Sequence, residues 1–244
     1  MSLLLNDSKI KESMVNIHIA FRKELDQYVV KKYQELGGRV LDKTKITEID
    51  FQNNIVKSNR GNFSYKKMIA ADGVNSFVRK SLLGNPQNKI LVVQNWQQNH
   101  IKLDTIIVEL FEDFVGYSYL FPIEDRIYLG SGGLDEKQTL EKFKEMAKKY
   151  DLRDDQIRGH FIPTGKEVFL EKDNVYFIGE AAGLIAIPTG EGMYHACYSA
   201  QRLFESFATG KNYSSLMKRM FTEVTEGGKL LDKMKEKGIF AFLQ

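Results

Sequence analysis

The stretch that decides the fold is Val175-Tyr-Phe-Ile-Gly179-Glu180-Ala-Ala-Gly183-Leu-Ile-Ala-Ile-Pro188-Thr-Gly190-Glu191-Gly192. Its first four residues are β-branched or aromatic, which predicts a short buried strand, and Gly179 allows a sharp turn after it. Beyond Pro188, residues 189 to 192 open an amphipathic helix with few side chains over its first amides. Such amides favour an electron-rich or anionic group. An ordinary strand, loop and helix with glycine caps would give the same pattern.

A second segment repeats this plan about a hundred residues earlier, as Met68-Ile-Ala-Ala-Asp72-Gly73-Val-Asn-Ser76-Phe-Val-Arg79. It predicts a short strand, an acidic turn with glycine and a helix, for which Asp72 is also a suitable N-cap. The two segments resemble the paired motifs, D-G-x-x-S-x-x-R and G-D-A-A-G, of the superfamily of FAD-dependent monooxygenases and geranylgeranyl reductases. Glu180 stands where that superfamily usually has aspartate.

Two further matches extend the resemblance over about residues 15 to 210. Gly116-Tyr117-Ser-Tyr119-Leu-Phe121-Pro is similar to the G-Y-x-W-x-F-P strand of the geranylgeranyl reductase branch, with Tyr119 in place of tryptophan. Upstream, the helix predicted from about residue 20 to 36 begins with Phe21-Arg22 and resembles the family's R-x-x-F/L-D-x-x-L helix. Its apolar stripe is expected to pack on a sheet.

The resemblance implies a mixed α/β (α+β) fold, in which a partial FAD-binding three-layer domain carries an antiparallel-sheet substrate domain. Residues 1–86 would form the first part of the FAD-binding domain and residues 87–170 the substrate domain. Residues 171–244 would return to the FAD-binding domain and add the C-terminal helices. The alternating strands and short polar turns between about 90 and 132 independently favour antiparallel pairing.

The resemblance also implies FAD as the cofactor and NAD(P)H as a reductant. Glu180 would accept hydrogen bonds from the ribityl hydroxyls, and the amides of residues 189 to 192 would meet the pyrimidine edge of the flavin. The full set of expected cofactor contacts is Arg22, Asp72, Gly73, Arg79, Gly179, Glu180, Gly183, Pro188, Gly190 and Gly192. Tyr117, Tyr119 and Phe121 share one face of a strand, for which packing under a helix is the more common explanation; the resemblance implies that they line the substrate. No catalytic residue is assigned, because the cofactor carries the chemistry.

The superfamily's nucleotide fingerprint, G-x-G-x-x-G, does not occur in the 244 residues. Gly37-Gly38 and Gly227-Gly228 lack its third glycine and its strand-to-helix context, so they are interpreted as turns. A strand, phosphate loop and helix would amount to ~30 residues or more. We therefore expect a fragment, a natural truncation or an engineered version of a larger flavoprotein, and weak or no FAD binding by this chain alone.

Composition sets the class of protein. Hydrophobic residues make up 43% and charged residues 27%, which excludes a disordered chain. A net charge of +3 is too balanced to indicate nucleic acid, but leaves peripheral contact with an anionic membrane open. The single cysteine excludes an intramolecular disulfide and favours a reducing, cytoplasmic setting. The four histidines show no metal-binding spacing, so no metal site is expected.

The helix that begins near Gly192 has apolar residues at three- and four-residue spacing: Met193, Ala196, Cys197, Ala200, Leu203, Phe204 and Phe207. Cys197 belongs to this stripe and is expected to be a core thiol rather than a nucleophile. His195 lies off the stripe and is expected to face solvent or a ligand cleft.

The leading hypothesis is an FAD-dependent oxidoreductase that resembles geranylgeranyl reductases and acts on an apolar, isoprenoid-like substrate. A fragment of a flavin monooxygenase is one alternative. The other is a non-catalytic remnant that binds an apolar ligand or a partner. A homo-oligomer is expected, because loss of the first strand and helix of a parallel sheet would expose an apolar edge.

Overall fold

A computed structural model describes residues 1–14, 21–84, 88–187 and 189–238 of the chain. Two compact units form, one from Met1–Ser13 with Lys67–Gln244 and the other from Met14–Lys66. The strands are β1 (Ser2–Leu5), β2 (Ser8–Glu12), β3 (Ile46–Asp50), β4 (Ile55–Ser58), β5 (Gly61–Ser64), β6 (Met68–Ala70), β7 (Lys89–Gln98), β8 (Ile107–Phe111), β9 (Phe114–Ile123), β10 (Arg126–Gly133), β11 (Arg158–Pro163), β12 (Glu171–Lys172) and β13 (Val175–Phe177). The helices are α1 (Arg22–Glu35), α2 (Phe77–Leu83), α3 (Glu136–Lys149), α4 (Met193–Thr209), α5 (Tyr213–Leu216) and α6 (Lys218–Lys237).

The larger unit contains a seven-stranded sheet in the order β11-β7-β10-β9-β8-β1-β2. All neighbouring strands in this sheet are antiparallel except the pair β1 and β8, which is parallel. One face of the sheet packs on α3 through a core that includes Val93, Leu120, Leu129, Phe143 and Met146. The alternating strands expected between about residues 90 and 132 are β7 to β10, which form the centre of this sheet. The N-terminal hairpin at its edge has no counterpart in the sequence predictions, because the polar β2 shows no buried alternation.

A second sheet of the larger unit has the order β12-β13-β6, and β13 runs parallel to β6 with Val175 opposite Met68. The two sequence motifs therefore leave neighbouring strands in the same direction. A seven-stranded mixed sheet, smaller sheets and packed helices together confirm the predicted mixed α/β fold class.

Helix α6 corrects one prediction. Gly227 and Gly228 lie inside this helix rather than in a turn. A Cβ at Gly227 would lie 3.1 Å from the Cβ of Ile187, and one at Gly228 would lie 3.0 Å from the backbone of Gly165. Glycine at both positions lets α6 approach two backbone segments closely. Those segments are distant in sequence, so no local pattern reveals this role.

The smaller unit contains α1 and the three-stranded antiparallel sheet β3-β4-β5. Helix α1 has no buried residue, and Tyr28, Val29, Tyr33 and Leu36 are all exposed. The expected packing of its apolar stripe on a sheet is absent from the described part of the chain. Gly37 has a φ of +85°, and its amide bonds to Gln34 while that of Gly38 bonds to Tyr33, which confirms the turn predicted there.

Among the described residues, no helix combines the length and the apolar character needed to cross a membrane.

Candidate functional site

The two motif turns meet at the ends of β6 and β13. The amide of Ile178 donates to the carbonyl of Ala70 at 3.1 Å, and this hydrogen bond joins the two backbone segments where they leave β13 and β6. Gly73 has a φ of +75°, and a Cβ there would lie 3.8 Å from Oε2 of Glu180. Two segments far apart in sequence are thus adjacent, because parallel strands end at the same edge of a sheet.

Asp72 and Ser76 organise the start of α2. Oδ2 of Asp72 accepts from the amides of Phe77 at 2.8 Å and Val78 at 3.3 Å. Ser76 is the N-cap residue, and its hydroxyl oxygen accepts from the amide of Arg79 at 2.9 Å. The capping role predicted for Asp72 is therefore shared with Ser76.

Arg79 ties this helix to the second motif. Its side chain is buried, and the guanidinium donates from Nη1 to the carbonyl of Ala181 at 3.1 Å and from Nη2 to that of Glu167 at 2.5 Å. Burial lowers the pKa of Arg79, an effect opposed by the negative charge of Glu167. Because both contacts are with backbone oxygens of this chain, Arg79 holds the turn of the second motif in place.

A single 3₁₀ turn, Gly179–Ala182, carries the second motif. The amide of Gly179 donates to the Ser199 hydroxyl on α4 at 3.0 Å. Gly183 ends the turn with a φ of +81°, and a Cβ there would lie 2.6 Å from the carbonyl oxygen of Glu167. Only glycine fits this position, because both its backbone angle and its close neighbour exclude a side chain.

Glu180 is the central acidic group of the site. Its side chain is 24% exposed, and Oε2 lies 3.6 Å from Nε2 of His160 on β11. A Cβ on Gly192 would lie 3.4 Å from Oε1 of Glu180. Both motif turns and the start of α4 therefore surround one carboxylate. His160 was not among the predicted residues, since nothing local marks this strand residue as a neighbour of Glu180.

The start of α4 has no side-chain cap. Gly192 is the N-cap residue, and it has no side chain that could accept a hydrogen bond from the first amides of the helix. Gly190 has a φ of +76°, and its amide donates to the carbonyl of Ala186 at 2.8 Å. Of the amides expected to meet the flavin, that of Gly190 is therefore already hydrogen-bonded within the chain. Pro188, also predicted as a cofactor contact, lies outside the described residues.

The aromatic strand touches this helix start. The hydroxyl of Tyr117 donates to the carbonyl of Thr189 at 2.5 Å, and a Cβ on Gly190 would lie 3.4 Å from that hydroxyl. Tyr119 follows on the same face of β9, with its ring centroid 6.0 Å from Tyr117 and 5.0 Å from Phe121. This face is the one opposite α3. Burial, reinforced by the charge of Glu191, raises the pKa of Tyr117 to about 12, so its hydroxyl stays a donor at neutral pH.

Helix α4 reverses two predictions. Cys197 is exposed, and so are Met193 and Phe204 of the same stripe. His195 is only 3% exposed, and neither ring nitrogen has a hydrogen-bond partner in the described part of the chain. The buried side of α4 instead carries His195, Ser199, Leu203 and Ser206.

The physical reason is the contact between α4 and the turn of the second motif. A Cβ on Gly179 would lie 3.1 Å from that of Ala196, and Ser199 bonds the Gly179 amide. Close approach of two backbones selects the small residues of the helix rather than its most apolar side. Burial also lowers the pKa of His195, against the opposing charges of Glu223 and Glu191.

Arg22 belongs to the smaller unit, whereas the other predicted contacts lie in the larger one. It is the first residue of α1, and its guanidinium binds the Asp26 carboxylate at 3.1 and 3.2 Å. Its role towards a cofactor stays a prediction. Within the described residues, no group of three or more His, Cys, Asp and Glu side chains is arranged to hold a metal ion.

No family model matches the sequence. An uncharacterized protein of Methanosarcina barkeri is 26% identical over 225 residues, which cover 86% of this chain and 58% of that protein. The chloroplastic geranylgeranyl diphosphate reductase of Nicotiana tabacum is 28% identical over 176 residues, covering 64% of this chain and 36% of the reductase. The chain thus spans between about a third and three fifths of the length of these relatives.

Solved structures share the fold. PqsL of Pseudomonas aeruginosa superposes with a TM-score of 0.69 at 16% identity, covering 100% of this chain and 80% of PqsL. A geranylgeranyl bacteriochlorophyll reductase-like protein of Thermoplasma acidophilum gives 0.64 at 18% identity, with coverages of 86% and 63%. HpxO of Klebsiella pneumoniae, solved with FAD and uric acid, gives 0.61 at 16% identity, with coverages of 90% and 63%.

Proposed function

Because the chain belongs to the superfamily of geranylgeranyl reductases and FAD-dependent aromatic-ring monooxygenases, we propose that it binds the flavin of FAD and acts in the reduction of an apolar, isoprenoid-like substrate. NAD(P)H is the proposed reductant. The observation that carries the proposal is the position of Glu180 between Gly73 and Gly192, at the uncapped start of α4.

The residues of this site fit the flavin half of the cofactor. Glu180 is an acceptor for the ribityl hydroxyls, and glycine at positions 73 and 192 leaves room that a Cβ would fill. The first amides of α4 and the positive end of its dipole suit the pyrimidine edge, where negative charge develops on reduction. Bound FAD would supply the hydride for the reaction.

The chain's own residues have the task of positioning and of excluding water. Arg79 and Ser199 hold the turn that carries Glu180, and Tyr117 holds the loop that leads into α4. The face of the large sheet opposite α3 presents Tyr119 and Phe121 beside that loop. Aromatic side chains suit a flat ring or a long apolar substrate, which is bound through burial rather than through many hydrogen bonds.

The test is a flavin titration of the 244-residue chain and two glycine variants, followed by quenching of flavin fluorescence. Gly190→Val places a side chain between the helix start, Tyr117 and Ile162. Gly210→Val is the matched control, since Gly210 ends the same helix with a φ of +74° and open space around its Cβ position. Both variants carry the same kind of backbone strain, of roughly 1–2 kcal/mol.

We expect weak binding, equal for FAD and riboflavin because the sequence has no phosphate fingerprint. Gly190→Val should abolish it and Gly210→Val should retain it. Equal flavin binding by the two variants would refute the proposed site. So would the absence of binding by the unchanged chain at the highest soluble concentration of riboflavin.

A further inference from the structure

The sheet face opposite α3 carries side chains in rows that cross the strands. Register places Tyr119 beside Gly130, Gly130 beside Gln94 and Gln94 beside Arg158, from β9 to β11. The next row is Phe121, Tyr128 and Trp96, and cross-strand neighbours on one face lie about 4.5–5.5 Å apart at Cβ. The aromatic side chains of Tyr119, Phe121, Tyr128 and Trp96 thus lie next to the polar side chains of Gln94 and Arg158.

Gln94 is oriented by a buried partner. The ring of Tyr119 lies across Gly130, where any Cβ would collide with it. The Tyr119 hydroxyl reaches Oε1 of Gln94 at 3.2 Å. Burial raises the pKa of Tyr119, so the hydroxyl is protonated and donates this hydrogen bond. The amide nitrogen of Gln94, a donor of two hydrogens, is left for another acceptor.

Arg158 supplies charge next to that donor. It is exposed, and it forms no ion pair or hydrogen bond with any described residue. The two rows contain no Asp or Glu. A second cation, Arg126, stacks on Trp96 at 4.5 Å and pairs with Asp125 at 3.9 Å. A guanidinium beside an amide donor, with no carboxylate in either row, is complementary to an oxyanion.

On the basis of the proposed function, we propose that Arg158 and Gln94 form a subsite for the anionic head group of the substrate, whose apolar chain lies over Tyr119, Phe121 and Tyr128. The head group is a phosphate or a carboxylate on an apolar chain. Tyr119 acts on this subsite as a positioning residue, because it determines which end of the Gln94 amide faces the ligand.

Trp96 provides a direct readout, since it is the single tryptophan of the chain, is 46% exposed and lies beside Gln94 on this face. Its emission can be followed while farnesyl phosphate, farnesol or inorganic phosphate is added to the flavin-free chain. Arg158→Gln removes the charge, and the control Arg153→Gln removes a nearby exposed arginine that pairs with Asp155 instead.

Farnesyl phosphate should bind more tightly than farnesol, and Arg158→Gln should raise its dissociation constant about tenfold to a hundredfold. Farnesol binding should not change in either variant, and Arg153→Gln should behave as the unchanged chain. Inorganic phosphate should compete only weakly, because it lacks the apolar chain.

Equal affinities for farnesyl phosphate and farnesol, or equal behaviour of the two arginine variants, would overturn the subsite. Inorganic phosphate that binds as tightly as farnesyl phosphate would show a site for free phosphate and would overturn the assignment to a substrate head group. Since no flavin is present, these results are independent of the flavin titration. Head-group discrimination without any flavin binding would refute only the proposed function.

Discussion

Replacement of Arg79 by methionine should strongly destabilise the larger unit, even with no cofactor present. Arg79 is 5% exposed and donates to the backbone oxygens of Ala181 and Glu167. A hydrogen bond from a charged donor contributes about 1.5–3 kcal/mol, so the two bonds together contribute about 3–6 kcal/mol. Methionine has a similar length but leaves both oxygens without this donor.

Part of that loss is offset, because burial of the guanidinium is itself costly, as the lowered pKa of Arg79 indicates. We therefore expect the free energy of unfolding to fall by about 3 kcal/mol, out of the roughly 5–15 kcal/mol that a domain has. Lys80→Met is the matched control, because Lys80 is the next residue of α2 and is exposed. Its effect should stay within about 0.5 kcal/mol.

The assay is urea unfolding of the two variants, followed by circular dichroism and by the emission of Trp96, which lies in the same unit as Arg79. Equal slopes with a lower midpoint for Arg79→Met would identify a change in stability rather than in compactness. The reasoning is refuted if Arg79→Met and Lys80→Met unfold at the same urea concentration, since the guanidinium would then not hold the turn.

Two further predictions concern α4. Burial lowers the pKa of His195 below 6.5 in the folded state, so its stabilising contribution is present above about pH 6.5 and is lost as the pH falls below it. Between about pH 8 and pH 5, the urea midpoint should therefore fall more steeply for the unchanged chain than for His195→Phe. Parallel pH profiles of the two proteins would contradict this prediction. Cys197 is exposed, so it should react with an aromatic disulfide reagent near neutral pH without denaturant, whereas the Cys197→Ser variant should not react. If the reagent releases its coloured thiolate only after the protein is unfolded, Cys197 lies in the core.

The local structure of the two motifs follows from residue type. Glycine at positions 73, 179, 183 and 190 has positive φ in the structure, as expected where a chain must turn sharply next to a strand or helix. Strand β13 and helix α4 appear close to the predicted positions because a short apolar run or a repeat of 3.6 residues depends only on near neighbours. For the same reason Asp72 could be recognised as an acceptor for the first amides of α2.

The choice of buried face on α4 could not be predicted in this way. Periodicity identified its apolar stripe, but the described structure buries His195 and Ser199 and exposes Cys197 and Phe204. Which side of a helix is buried depends on how closely the partner's backbone approaches, and here Gly179 requires small side chains. Gly227 and Gly228 were misassigned for the same reason, since their neighbours lie far away in sequence.

By itself, then, the sequence determined the mixed α/β class, the two strand-turn-helix units and the glycines at their turns, because these depend on residues within one or two turns of chain. Only the tertiary structure decided that Glu180 lies between Gly73 and Gly192, that His160 faces it, and that Gln94 and Arg158 stand side by side. These neighbours belong to different strands and helices. Their proximity is set by strand order and register, which arise when the whole sheet pairs and packs, and no local pattern encodes them.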